Sequence, residues 1–307
     1  MLNNIVEINK DGKTLTVYRG FLRVKEKEEI IADLPFDSLA CIIASANQLV
    51  YTHSLLQKLI EENIPLVICG KNYIPSGMLL GINGNYQQTR VQQMQISMSK
   101  PLQKNLWQRI VQEKIKNQSK VLKFFKSDNH LDYIATQVLS GDTSNQEAVA
   151  ARYYFQALFG KNFVRNTEQT GINTFLNYGY AIIRACIARY VVASGLNPSF
   201  GVEHHNYLNA YCLVDDLIEP FRPIVDILVY KIFVGQDDFA KDLTPEYKKF
   251  IIESLLHNDI QAQDNISELP IIIQNYVRGF ASSCLNKKMS LQIPENLINN
   301  YIGIDYE

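Results

Sequence analysis

A chain of 307 residues has room for about two domains and a sizeable hydrophobic core. With 47% apolar and 20% charged residues it has the profile of a soluble globular protein, and a net charge of −1 excludes a globally basic nucleic-acid binder. No apolar run reaches the ~18 residues needed to cross a membrane, and the five cysteines (Cys41, Cys69, Cys186, Cys212, Cys284) form no C-x-x-C pair, which points to reduced thiols in a cytoplasmic protein.

The N-terminus, MLNNIVEINKDGK, is not a signal peptide. Ile5–Ile8 and Thr14–Val17 are short β-prone runs around Lys10-Asp11-Gly12-Lys13, a turn signal that predicts a hairpin. Phe21–Val24 is a third run, and Glu26 to Glu29 a charged turn. The continuous apolar runs Leu39–Ala44 and Pro65–Cys69 predict buried strands, with a helix at Ser54–Glu62 between them and a loop from Gly70. Residues 1–85 thus read as a small β-rich domain. From about Gln92 the periodicity turns helical, and 86–307 reads as an α-helical domain, an α+β chain overall.

Between Lys100 and Lys126 eight basic residues face the single acid Glu113. A solvated helix face explains such a run; so does a strip that tracks phosphates, with Lys114, Lys116 and Lys120 as its centre. Ser144–Phe159 is predicted helical. Its Ser144-x-x-Glu147 start is a capping box, which would occupy Glu147 at the helix N-terminus, although the alanines that follow leave room for a ligand. Gly171–Ser194 is apolar on most sides and predicts the central buried helix, ended by Gly195 and Pro198. Asn177 and Tyr178 inside it require hydrogen-bond partners. Further helices are predicted near 245–256, 269–282 and 294–302, with a polar loop at 261–268.

The stretch GVEHHNYLNAYCLVDDLIEPFRPIVD, residues 201–226, carries the most chemistry. On a regular helix Asp216 and Glu219 lie three and four turns beyond His205, and they share a face. Adjacent histidines point about 100° apart, so one of His204 and His205 joins that face, and the spacing selects His205. Pro220 breaks the helix at Glu219, and Pro223 suits the first turn of the next. An imidazole with carboxylates is a hard, oxygen-rich donor set that suits Mg²⁺ or Mn²⁺ rather than structural zinc. Each residue singly is also an ordinary polar residue. Arg222 can face a phosphate or pair with Asp226. The chain has no P-loop, G-x-G-x-x-G, G-x-S-x-G or H-E-x-x-H.

Four segments carry a family resemblance: YRGFLRV (18–24), NQEAVAARYYFQALFG (145–160), FLNYGYAIIRACIARYVVASGLNPSFGVEHHN (175–206) and LVDDLIEPFRPIVD (213–226). The chain resembles the CRISPR-associated adaptation endonuclease, the integrase subunit that inserts new spacers, and is most similar to the type II branch. The resemblance implies an N-terminal β-rich dimerisation domain and a C-terminal α-helical catalytic domain. It implies metal ligation and catalysis by Glu147, His205 and Glu219, with Asp216 as a further acidic ligand, and Mg²⁺ or Mn²⁺ as cofactor. The implied substrates are double-stranded DNA with 3′ ends and CRISPR repeat DNA, joined by 3′-hydroxyl transesterification. The implied partners are a second copy of the chain, a small companion adaptation subunit and the type II effector nuclease, in a prokaryotic cytoplasm. Two other function classes fit parts of the sequence: a non-catalytic double-stranded DNA scaffold using the basic run, and a metal hydrolase of small phosphoesters.

Overall fold

The computed structural model describes residues 4–70, 75–82, 85–125, 129–234, 241–256, 260–262, 265–293 and 297–302. Strands come first: β1 (Asn4–Ile8), β2 (Lys13–Tyr18), β3 (Phe21–Glu26), β4 (Glu29–Pro35), β5 (Leu39–Ala44) and β6 (Leu49–Tyr51), then α1 (His53–Glu61), β7 (Leu66–Cys69) and β8 (Pro75–Leu79). Helices dominate the remainder: α2 (Gln88–Ile96), α3 (Lys100–Phe125), α4 (Leu131–Thr136), α5 (Gln146–Phe159), α6 (Ile172–Ala193), α7 (Cys212–Leu217), α8 (Arg222–Phe233), α9 (Pro245–Leu256), α10 (Leu269–Asn286) and α11 (Asn299–Ile302). A strand-rich part followed by a helical part is the α+β class expected from the sequence.

The strands form two four-stranded sheets, ordered β1-β5-β7-β8 and β4-β3-β2-β6. Every residue of β5 is buried, and its two neighbours β1 and β7 run parallel to it. That is the arrangement a continuous apolar strand requires, since both faces are covered. One face meets Leu15, Leu22, Phe36, Leu55 and Leu59 in a small core under α1; the other, through Cys41 and Ile43, joins the large helical core.

The predicted hairpin between the first two runs does not form. β1 pairs with β5 in one sheet, whereas β2 pairs with β3 and β6 in the other. The turn residues behave as turn residues, with Gly12 at φ 75°, but the fully buried β5 takes β1 as the neighbour it needs. The hairpin lies one strand later: Arg19 and Gly20 both have positive φ, 47° and 82°, the pairing turn whose twist suits antiparallel strands. The charged turn at Glu26 to Glu29 joins β3 to β4 as expected. At 260–262 and 265–267, where a loop was expected, β9 (Ile260–Ala262) and β10 (Asn265–Ser267) pair antiparallel.

α6 is the central helix, with most of its residues buried. Gly179 lets α8 approach closely, because a Cβ there would lie 2.4 Å from Val225 Cγ1. Arg189 ties α6 to β5 by donating to the Leu39 and Ala40 carbonyls at 2.6 and 3.0 Å. Tyr178 donates to Glu7 at 3.1 Å and Asn177 to the Thr167 carbonyl at 2.9 Å, so both polar groups of this helix find partners. The five cysteines are free thiols, all but Cys69 fully buried. Among the described residues no helix is long and apolar enough to cross a membrane.

Candidate active site

Three elements converge on one point. α3 supplies Lys114, the first turn of α5 supplies Glu147, and the break after α7 supplies Glu219 and Arg222. The break is the one Pro220 predicts: α7 ends at Leu217, Glu219–Phe221 form a single 3-10 turn, and α8 restarts at Arg222 with Pro223 in its first turn. Asn117 of α3 clamps the turn by donating to the Pro220 carbonyl at 2.9 Å, in a fully buried position. Glu219 is thereby aimed inward and is only 4% exposed.

Glu147 is not spent on a capping box. Asn145 adopts φ 54° with no side-chain cap. The Asp142 carboxylate caps the helix instead, accepting from the Gln146 and Glu147 amides at 2.8 and 2.9 Å. Glu147 is therefore free to turn to Lys114, whose Nζ donates to its Oε1 at 2.6 Å. The same ammonium pairs with Glu219 Oε2, while Arg222 Nε donates to Glu219 Oε1 at 2.9 Å. Burial would push the Glu219 carboxyl up, but the nearby Arg222 and Lys114 charges outweigh it and bring it down to about 2. Burial likewise disfavours the Lys114 ammonium, yet Glu219 and Glu147 outweigh it and hold the group above its ordinary value.

Lys114 is thus a member of the acidic site and not part of an exposed basic strip. The basic run of α3 is partly engaged within the protein, while Lys100, Lys104 and Lys123 are exposed. Lys116 pairs with Glu113 at 2.8 Å, as Arg109 does at 3.5 Å, and Lys123 pairs with Asp132. Lys120 is half-buried and engaged, and Lys126 lies outside the described residues. Thirteen residues of this helix are buried, because α3 runs under α4, α5 and the Glu219–Phe221 turn. Arg222 does not pair with Asp226 by hydrogen bond. It lies over the Tyr180 ring at 4.7 Å, and Asp226 accepts from the Tyr180 hydroxyl.

The structure does not support the spacing argument for His205. Residues 201–211 are not helical, so counting helical turns from His205 does not apply. Asn206 and Asn209 fold this segment by accepting from the Leu208 and Tyr211 amides, each at 2.9 Å, the side-chain turns that asparagine favours. His204 is the imidazole that reaches the carboxylates. Its Nδ1 lies 2.5 Å from Asp216 Oδ1, which leaves Nε2 as the ligand-capable nitrogen. The Asp216 hydrogen bond pushes His204 up to about 9, against its burial, and Glu219 and Glu147 add to the rise. His204 also meets Trp107 edge-on at 5.7 Å. Along with Glu219, Arg222, Arg184 and Arg165, His204 lines an open cavity of about 880 Å³. His205 lines a different cavity, of about 530 Å³, with Met98, Phe200 and Phe280.

Asp216 is wholly buried and fully employed. Besides His204 it accepts from the amides of Val202, Glu203 and His204 at 2.5, 3.1 and 3.3 Å. It orders the loop and orients the imidazole, as a carboxylate behind a ligating histidine does. Gly201 is obligatory for this approach: a Cβ there would lie 2.3 Å from the His204 carbonyl and 2.7 Å from Asp216 Oδ2. Arg184 grips the neighbouring Asp215 through two hydrogen bonds at 2.7 and 3.0 Å.

Carboxylates and an imidazole are donor types that a divalent cation accepts. Glu147 and Glu219 face each other across a cation, the Lys114 ammonium. Glu219 Oε2 is buried and accepts no hydrogen bond of proper geometry; the lysine approaches it as a charge only. Among the described residues no three His, Cys, Asp or Glu side chains converge tightly enough to hold an ion together; Lys114 stands between the two glutamates.

The protein family described as CRISPR associated protein Cas1 has a model that matches residues 6–253. The chain is 35% identical over 292 residues to the CRISPR-associated endonuclease Cas1 of Neisseria meningitidis serogroup C (strain 8013), a match covering 94% of this chain and 95% of that protein. Its fold is similar to a casposase bound to integration product, with a TM-score of 0.79 at 20% identity, covering 99% of this chain and 94% of that one. It is also similar to a chain of a Cas6-RT-Cas1–Cas2 complex, with a TM-score of 0.76 at 19% identity, covering 96% of this chain and 36% of the longer one.

Proposed function

The chain belongs to the Cas1 family, and from that premise we propose that it is a divalent-metal-dependent DNA endonuclease and integrase that inserts new DNA into a CRISPR array. The observation that carries the reading is that Lys114 bridges Glu147 and Glu219, while Glu219 and the Asp216-held His204 line one open cavity with Arg165, Arg184 and Arg222. The reaction is a transesterification: the 3′-hydroxyl of the incoming DNA attacks a phosphodiester of the repeat, a new P–O bond forms as the P–O3′ bond of the repeat strand breaks, and that strand leaves with a protonated 3′-hydroxyl; water in place of the incoming hydroxyl gives scission.

Glu147, Glu219 and His204 would hold Mg²⁺ or Mn²⁺, with His204 taking the place the sequence spacing assigned to His205. When bound there, such an ion polarises the phosphodiester and stabilises charge on the entering and leaving oxygens. The protein contributes the rest. Asp216 fixes the His204 ring with Nε2 outward. Arg222, held on Glu219 and over Tyr180, places a fixed positive charge at the cavity wall, where a phosphate is attracted. The partners in this reading are DNA with 3′ ends, CRISPR repeat DNA, a second copy of the chain and a small companion subunit, in keeping with the Cas1–Cas2 complex that shares the fold. The type II effector nuclease stays a proposed partner on the sequence resemblance alone. A scaffold that binds DNA through α3 alone is disfavoured, since the basic side chains at its centre are engaged within the protein.

The test is strand joining in Mn²⁺ between a duplex with a free 3′-hydroxyl and a repeat-containing duplex. Wild type joins the two; Glu147→Gln and Glu219→Gln, with unchanged circular dichroism, do not. Joining at the wild-type rate by a well-folded Glu147→Gln protein overturns the proposal.

A further inference from the structure

Lys114 sits where a bound ion would interfere with it. Its Nζ is 2.6 Å from Glu147 Oε1 and in ion-pair contact with Glu219 Oε2, and its side chain is only 9% exposed. An ammonium bonds carboxylates at hydrogen-bond distance, whereas Mg²⁺ draws oxygens in to about 2.0–2.1 Å. The two cations cannot use the same pair of oxygens at once, and two positive charges within one small gap repel strongly where water is scarce. Removing the lysine without replacing it leaves two facing carboxylates, offset by Arg222 on the far oxygen of Glu219 and by the nearby His204.

We propose that Lys114 is the resident cation of the metal-free site: it holds Glu147 and Glu219 together until a divalent ion enters, and the ion expels it. This rests on the metal reading given above. Lys114 is then a positioning residue with opposite effects on two quantities. It stabilises the metal-free protein, and it weakens metal binding, because the binding-competent arrangement is the minor one in which the lysine has left. The expelled ammonium, on a flexible four-carbon stem, becomes available to an anionic ligand at the edge of the site.

The experiment uses the full chain stripped with EDTA and titrated with Mn²⁺, following free Mn²⁺ by electron paramagnetic resonance, for wild type, Lys114→Gln, Lys114→Arg and Glu147→Gln. Lys114→Gln is expected to bind Mn²⁺ about tenfold tighter than wild type, as follows if the lysine-vacated state is about one tenth populated, while its metal-free Tm falls. Lys114→Arg keeps the charge and gains no affinity. A folded Lys114→Gln protein that binds Mn²⁺ equally or more weakly overturns the proposal, because a purely structural lysine predicts that result. A second measurement needs no variant: reductive methylation of wild type, mapped by mass spectrometry, is expected to modify Lys114 only when Mn²⁺ is present. Equal modification with and without Mn²⁺ also overturns it. Glu147→Gln separates the two readings. If wild type shows no Mn²⁺ binding that this substitution removes, the metal reading itself falls; if it does, only the role of the lysine is at stake.

Discussion

Replacing Asp216 by Asn isolates the contact that orients His204. Asparagine keeps the shape and one carbonyl oxygen for the loop amides but removes the charge 2.5 Å from His204 Nδ1. In the wild type that contact lifts His204 from 6.5 to about 9, a shift that at face value corresponds to about 3 kcal/mol. The His204 side chain is 48% exposed, so solvent screening reduces the stabilisation to about 1–2 kcal/mol. The sign follows from the raised value: this stabilisation is fully present below the unfolded-state pKa near 6.5 and is lost as pH rises through about 9. Asp216→Asn is therefore expected to lower the His204 pKa by about one to two units. The stability gap to wild type should be widest near pH 6 and narrow by about 1–2 kcal/mol toward pH 9. The assay is a ¹³C-detected histidine titration, assigned with His204→Gln, alongside urea midpoints across the same range. An unmoved His204 titration in Asp216→Asn, or a gap that stays flat between those pH values, refutes the argument.

Two other outcomes are expected. Gly201→Ala pushes a methyl group to 2.3 Å from a backbone carbonyl, so the loop must shift; the expected loss is about 1–3 kcal/mol by thermal melting, with weakened Mn²⁺ binding as His204 is displaced. Asp226 is buried, which pushes it up to about 6 against the opposing Tyr180 hydrogen bond and the nearby Arg222 and Arg165 charges. An acid raised in the folded state destabilises it once ionised, so stability should fall as pH climbs from about 4 to about 6, by roughly 3 kcal/mol at most. Asp226→Asn, which still accepts from Tyr180, should flatten that part of the Tm-versus-pH curve, and an unchanged curve would falsify the assignment.

Elements that bury their own pattern were legible. Leu39–Ala44 reads as a strand covered on both faces and is one; Gly171–Ser194 reads as a central helix and is one. Pro220 marks the break that aims Glu219. The pairing of β1 was not legible, because its partner lies more than thirty residues away and is chosen by the needs of β5, not by the local turn. The spacing argument for His205 fails for a related reason. Helical spacing from His205 assumes a helix through a segment that contains Gly201, Asn206 and Asn209, and those turn-forming residues were the signal against it. Lys114 was counted with its basic neighbours along the helix, whereas burial singles it out: charge along a sequence does not say which side of a helix faces the core. Glu147 had two readings, and the choice between them depended on Asp142, which caps the helix from outside the four-residue motif.

The proposed metal site takes His204, and not His205, together with Glu147 and Glu219. Mn²⁺-dependent strand joining by His204→Ala and His205→Ala, assayed side by side with a melting curve for each, tests it most directly. His204→Ala is expected to fold and to lose joining by a factor of about a hundred or more, while His205→Ala is expected to join within a few-fold of wild type. Loss of joining in a folded His205→Ala protein, with His204→Ala active, contradicts it.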